Sequence, residues 1–160
     1  MTIQAAEFKK AMQLWASGVT VITTQSEKHG LQGMTATAFS SVSAEPPLIL
    51  CCVNGAADTL NGIDESQFFA VNVLTQHQEN ISNQFAGACS YEERFANNAW
   101  HTLTTGAPIL TESLMSLDCK LVQKISAGSH WIIVGEVQAS ECREGEPLLY
   151  CRASYQTLAK

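Results

Sequence analysis

The chain is 160 residues long, carries a formal net charge of −6 and devotes only 15% of its residues to Asp, Glu, Lys and Arg. That length suits a single domain, residues 1–160, with a core of its own. Its Lys and Arg residues form no cluster, which makes nucleic acid and anionic membrane poor partners, and the sparse charge suits a chain that hides surface in a homodimer.

Glu7–Ala16 reads as an amphipathic helix, because Phe8, Ala11, Met12 and Trp15 repeat at helical spacing. Gly18 lies near its end and can take the left-handed turn that stops a helix. Val19–Thr24 is β-branched throughout and predicts a strand. Glu27-Lys28-His29-Gly30 predicts a hairpin turn. The chain then returns over Leu31–Ser43 as a lean strand. Thr35, Ala36, Thr37, Ala38, Ser40, Ser41 and Ser43 are small or carry hydroxyls, and only Phe39 and Val42 add bulk. Such a strand leaves room beside its backbone and offers N–H, C=O and hydroxyl groups to a flat, heteroatom-rich ligand. An ordinary hairpin with small residues for close packing has the same composition, and motif reading alone favours that plainer account.

Glu45-Pro46-Pro47 forces an extended link into Leu48–Val53, a strand apolar on both faces and therefore expected at the centre of the sheet. Asn54–Thr59 is a loop. A short helix over Thr59–Glu65 follows, with Asp58 as its N-cap. A helix start after a Gly/Ala-rich loop can receive a phosphate on free N–H groups, and a plain connection is an equal alternative. Phe68–Leu74 is another strand. Thr75 and Gln78 form a capping-box pattern for a helix reaching Phe85. A helical turn is expected around Glu92–Phe95. Past Pro108, Leu114–Lys124 alternates, with Leu117, Cys119 and Leu121 on one side and Asp118, Lys120 and Val122 on the other, a long half-exposed strand. Ala127-Gly128-Ser129 turns it, His130–Ala139 pairs back, and Leu148–Cys151 is the last strand. Trp15, Trp100 and Trp131 are assigned to the core. About seven hairpin-linked strands with three helices predict a mainly β, α+β fold, an antiparallel barrel with helices packed outside.

Six cysteines include no C-x-x-C, and the four histidines fall at no ligand spacing near them, so no metal site is expected. Reduced, buried cysteines are the expected state. Met1-Thr2-Ile3-Gln4 lacks the charged-then-apolar run of a secretory signal, and no apolar run is long enough to span a bilayer, so a cytoplasmic location is expected. G-x-G-x-x-G, G-x-S-x-G, H-E-x-x-H and the phosphate-cradling G-x-x-x-x-G-K are all missing.

Taken in order, FKKAMQLWASGVTVITT, HGLQGMTATAFSSVSAEPPLILCCVN, FAVNVL, ERF at Glu93–Phe95, GAPIL, SLDCKL, SHWIIVGEV and EPLLYCRASY carry a resemblance. From Phe8 to Tyr155 the chain resembles the short-chain flavin reductases, the reductase components of two-component flavin-dependent monooxygenases. The resemblance implies an antiparallel FMN-binding split barrel, usually homodimeric, with FMN or FAD in a groove near the subunit interface. NADH or NADPH would bind as co-substrate, and reduced flavin would pass to a separate monooxygenase. It sets the flavin ring against Thr35, Ala36, Thr37, Ser40 and Ser41. It sets the ribityl chain and phosphate near Val53, Asn54, Gly55, Asp58 and Thr59. Phe85, Ala86 and Arg94 would close over the rest. His130 would contact the nicotinamide as the catalytic residue, with Gly135 later in its strand and Arg152 and Tyr155 near the site. Two departures stand out: Ser129 where many relatives have Asp, and Gly55-Ala56-Ala57 where many have Ser and a basic residue.

Hydride transfer from nicotinamide to flavin asks the protein mainly to stack and orient. A small polar site without a triad suits that task. A split-barrel flavin-binding or storage protein would use the same strand but not His130. A pyridoxine-phosphate oxidase would need basic phosphate-gripping residues that are missing.

Overall fold

Residues 2–159 are described by a computed structural model of the chain. Thr20–Ser26 (β2) shows why the fold starts where it does. Its first five residues are all buried, so a strand apolar and hydroxylated on both faces is driven inside the molecule. It pairs with Gly30–Ala36 (β3) on one side and Phe68–Val73 (β6) on the other. Beyond β6 lie Met115–Ala127 (β9), His130–Cys142 (β10), Pro47–Asn54 (β5) and Phe39–Ala44 (β4). The order is β3-β2-β6-β9-β10-β5-β4, every pairing antiparallel.

The connection between β3 and β4 decides the shape. The two are the opposite edges of the sheet, yet β3 ends at Ala36 and β4 starts at Phe39. Seven flat strands would hold their edges about 29 Å apart. Three Cα–Cα steps reach roughly 11 Å. The sheet must therefore curl, and at the seam the Cys52 N–H donates to the Ala38 carbonyl at 3.1 Å. The curl leaves the ring of hydrogen bonds open between β3 and β4, a split barrel with helices outside, as expected. Its interior holds Ile22, Ile49, Cys51, Val53, Phe69, Val71 and Ile133. Gly135 makes room for Phe69, whose Cζ would lie 2.5 Å from a Cβ placed there. Outside β2 and β3, a second cluster joins Val21, Phe85, Phe95, Leu110 and Leu148 under Glu79–Asn83 (α3), the π-helical Gln84–Ala88 and Tyr91–Ala96 (α4).

Several expectations need correction. The first helix, α1, spans Ala5–Met12 and buries nothing in this chain: Phe8, Met12 and Trp15 are 55%, 49% and 71% exposed. Its apolar face therefore meets no core of its own, and Trp15 is not a core residue. The lean stretch is two strands, not one, because the chain turns a barrel corner at Thr37-Ala38. β5 is next to the edge rather than central. Leu48, Leu50 and Cys52 stay half-exposed on its outer side, and β9 takes the central place. Helix α2 runs Asp58–Ser66 with Ala57 at the N-cap position, so Asp58 begins the helix instead of capping it. Of the Thr75/Gln78 box one half forms: Gln78 Oε1 accepts the Thr75 N–H at 2.9 Å. Asp118 is fully buried, since its carboxylate is drawn inward by the Thr105 N–H (2.7 Å) and hydroxyl.

Shorter elements complete the chain. Trp100–Thr102 (β7) pairs with Pro108–Leu110 (β8). Ser17–Gly18 (β1), Leu149–Cys151 (β11) and Ser154–Gln156 (β12) form a small sheet. The six cysteines are free. Cys51 and Cys119 are buried, and burial first, then the Asp118 carboxylate, pushes the Cys119 thiol up to about 12. Both are inert small hydrophobes at neutral pH.

Candidate active site

As an edge strand, β3 has one backbone side without a strand beside it. Gly33 turns its carbonyl to that side, where Arg94 Nη1 donates at 2.9 Å. Strand alternation repeats the direction at Thr35, leaving its N–H and C=O facing outward. A cavity of about 390 Å³ opens there, lined by Val19, Thr35, Ala36, Thr37, Ser82, Asn83, Ala86, Tyr150, Ala153, Ser154 and Tyr155. Thr35, Ala36, Thr37, Ala86 and Tyr155, all singled out from the sequence, line this one cavity.

Hydrogen bonds hold the walls. Thr35 Oγ1 donates to the Ser82 carbonyl at 2.6 Å, and Thr20 Oγ1 to the Ala36 carbonyl at 2.6 Å. The Tyr155 hydroxyl lies 2.8 Å from Ser82 Oγ and 2.9 Å from Asn83 Oδ1, and its ring meets Tyr150 edge-on at 5.4 Å. The β11–β12 hairpin is thereby latched to α3 and forms one side of the slot. Its turn holds Arg152 and Ala153 at φ 54° and 57°. A turn with two positive φ values usually announces itself by Asn or Gly, and here neither is present. The sequence reading therefore missed β12, and with it Tyr150 and Ala153. Ser82 and Asn83 were missed because nothing local distinguishes them from ordinary helix residues.

A second group gathers beyond the corner. Asn54, Gly55 and Asp58 are exposed at the β5–α2 turn, and His130 pairs in register with Asn54. The Gly55 N–H donates to the Ser129 carbonyl at 3.0 Å, and Ser129 Oγ is 2.8 Å from His130 Nδ1. His130 therefore stands beside the turn, not in the cleft. Ser40 and Ser41 are exposed on β4, past the corner on the other side.

Four expected contacts are corrected by packing. Val53 and Thr59 are fully buried in the barrel and under α2. Phe85 fills the space above Gly33, where a Cβ would meet its Cε1 at 2.8 Å, and packs edge-on against Phe95 at 5.3 Å. Arg94 is buried: it ties Gly33 and Cys89 carbonyls together and lies 4.3 Å over the Tyr91 ring. These side chains are buried in the chain's own interior rather than lining the cleft.

The cleft and the turn fit a flavin unequally. A flat ring with donors and acceptors along its edge suits the free strand edge of β3 and its small hydroxyl neighbours. At the turn the N–H groups of Gly55, Ala56 and Ala57 already donate to Ser129 O, Asn54 Oδ1 and Asn54 O. Asp58 adds a carboxylate where a phosphate would prefer a cation. The ring end fits well and the phosphate end weakly.

Comparison with known proteins agrees with this geometry. An FMN reductase (NADH), RutF, from Acinetobacter baylyi is 37% identical over 156 residues, covering 97% of this chain and 82% of its own. The flavin reductase PheA2 superposes with a TM-score of 0.90 at 36% identity, over 99% of this chain and 100% of its own. BorF, the flavin reductase component of a bacterial two-component tryptophan halogenase, gives 0.89 at 29% identity, over 98% and 99%. Residues 12–159 match the flavin reductase like domain, and the chain belongs to that family.

Proposed function

We infer that the chain, acting as one domain, is an NADH-dependent flavin reductase that hands reduced flavin to a separate monooxygenase. The observation that carries this is the unpaired edge of β3 at Thr35–Thr37, open to a cavity of about 390 Å³ walled by the Tyr155 latch. The flavin supplies the hydride acceptor. Thr35, Ala36 and Thr37 line its ring, Tyr150 and Tyr155 shield one side from water, and Ser40 and Ser41 flank the corner. The ribityl phosphate extends toward Asn54, Gly55 and Asp58, and His130 beside that turn meets the nicotinamide nucleotide. No acid or base group is required within the cleft, because the protein's task is to align two rings.

FMN and NADH are the favoured pair, by similarity to the Acinetobacter reductase; BorF, a reductase component of a two-component system, supports a separate oxygenase partner. A homodimer is supported by the outer side of β5, β10 and β9. Register sets Cys52, Ile132 and Ile125 in one row and Leu50, Val134 and Gln123 in the next. Ile125 is exposed, and Leu50, Cys52 and Ile132 are half-exposed. Such a stripe is best covered by a second copy. Among the described residues no helix is long and apolar enough to cross a membrane; a cytoplasmic setting is the companion proposal.

Steady-state assays with NADH or NADPH against FMN or FAD test the reading. NADH oxidation dependent on added flavin is expected. Flavin binding with no oxidation of either nucleotide would instead make the protein a flavin carrier. For the dimer, sedimentation of Ile132→Glu should show monomers where the parent shows dimers.

A further inference from the structure

His130 opens β10 beside the Asn54–Asp58 turn, and its imidazole is exposed. An exposed ring is not oriented by packing, so its hydrogen bonds decide which way it faces and which nitrogen carries the proton. Nδ1 lies 2.8 Å from Ser129 Oγ, and among the described residues neither atom has another hydrogen-bond partner within the chain. That contact occupies Nδ1 and leaves Nε2 as the ring atom open to a ligand.

We propose that Ser129 is a positioning residue. Its hydroxyl donates to Nδ1 and holds His130 as the neutral Nε2–H tautomer, so that Nε2–H donates to an oxygen of the incoming nicotinamide nucleotide. This rests on the flavin reductase reading, since it needs that nucleotide at His130. Ligand chemistry sets the direction of the proton. Phosphate and carboxamide oxygens accept hydrogen bonds and do not donate them. An Nε2 that grips one must carry the proton, and in a neutral imidazole Nδ1 is then bare and needs a donor. A serine hydroxyl supplies it. A carboxylate in the same place would take the Nδ1 proton as acceptor and leave Nε2 bare, unless the ring gained a second proton and a positive charge.

The main chain of the same residue fixes where the ring stands. The Ser129 carbonyl accepts the Gly55 N–H at 3.0 Å, and His130 pairs in register with Asn54. Backbone thus sets the distance of the imidazole from the turn, and side chain sets its proton. The two roles can be separated by substitution. His130 pairs with Ala127 across a two-residue turn in which Gly128 takes the positive φ, 64°, and Ser129 does not. That is the pattern of a hairpin turn with glycine at its first central position, so residue 129 can change without straining the turn.

Ser129→Ala removes the hydroxyl, Ser129→Thr restores one, and Ser129→Asp offers only an acceptor. Heteronuclear NMR of isotope-labelled histidine reads the tautomer of the neutral ring, with His130→Ala identifying its signals. The parent and Ser129→Thr should show Nε2–H, Ser129→Ala a mixture, and Ser129→Asp the Nδ1–H form. With FMN saturating, KM for NADH should rise about fivefold in Ser129→Ala while kcat stays within about twofold, and Ser129→Thr should return KM to the parent value. Flavin Kd should be the same in all three, because the carbonyl remains. A parent ring in the Nδ1–H form, or a Ser129→Ala protein that keeps the parent's tautomer or the parent's KM, would overturn the proposal. So would a rise in KM that threonine does not rescue, or one accompanied by a shift in flavin Kd, since the hydroxyl would then be shaping the turn. A parent that neither oxidises nor binds NADH fails the reductase reading instead, and the tautomer spectra still decide whether Ser129 sets the proton.

Discussion

The β3 edge and the Asn54–Thr59 turn are both built from small residues, yet only one leaves its backbone free. At Thr35 the strand has no neighbour on its outer side, so N–H and C=O point into the cleft. At Gly55-Ala56-Ala57 the chain bends back on itself, and each N–H finds an acceptor within the protein. Small side chains grant access to backbone. Whether that backbone is available depends on what the fold has already paired with it.

The largest effect is expected where the free edge is blocked. Thr35→Phe fills the slot and should weaken flavin binding by about 50- to 100-fold, equivalent to ~2–3 kcal/mol. Quenching titration reads it, and a Tm near that of the parent shows that the fold survives. Next comes the latch. Tyr155→Phe removes the contacts to Ser82 and Asn83, each worth ~1 kcal/mol, so flavin Kd should rise roughly tenfold. Faster amide exchange over residues 149–156, with the rest unchanged, would locate the loss. If both variants bind flavin like the parent, the cleft is not the ring site.

The turn should behave oppositely. Asp58→Asn removes a carboxylate from the start of α2 and should tighten FMN about two- to fivefold, from ~0.3–1 kcal/mol, while riboflavin, lacking phosphate, is unaffected. Equal effects on both ligands would place the phosphate elsewhere. The smallest effect is in acid. Ser90 caps α4, and its backbone N–H followed by its hydroxyl hold the Glu93 carboxyl below its ordinary range. A depressed pKa contributes stability that is complete above the unfolded value and lost as pH falls through the folded one. Helix α4 carries Arg94, the clamp on the Gly33 carbonyl. Amides of α4 and the middle of β3 should therefore exchange faster below the ordinary Glu range, and Glu93→Gln should remove that pH dependence.

Local pattern went far with single elements. VTVITT, the Gly30 and Gly128 turns and the alternation before Ala127 each announce a strand or a hairpin, because their periodicity and turn chemistry act over a few residues. Thr35–Thr37 stood out for the same local reason, being small and hydroxyl-rich. The errors were of another kind. Arg94 and Phe85 look like ligands in a row of letters but are fixed by Gly33, sixty-one and fifty-two positions away. Trp15 reads as core because its spacing is helical, yet spacing states only that residues share a face, not that anything covers it. Asp118 alternates as if solvated and is instead buried on Thr105.

By itself, the order of residues determined most of the long strands, several turns, the lean stretch and the family to which the chain belongs. Tertiary structure alone decided that this stretch breaks at Thr37-Ala38 to join opposite sheet edges. It alone decided that a hairpin without glycine returns Tyr155 to α3, and which backbone groups were left over. The reason is physical: propensity and periodicity are short-range, whereas exposure and unpaired hydrogen-bonding groups are properties of contacts between distant segments.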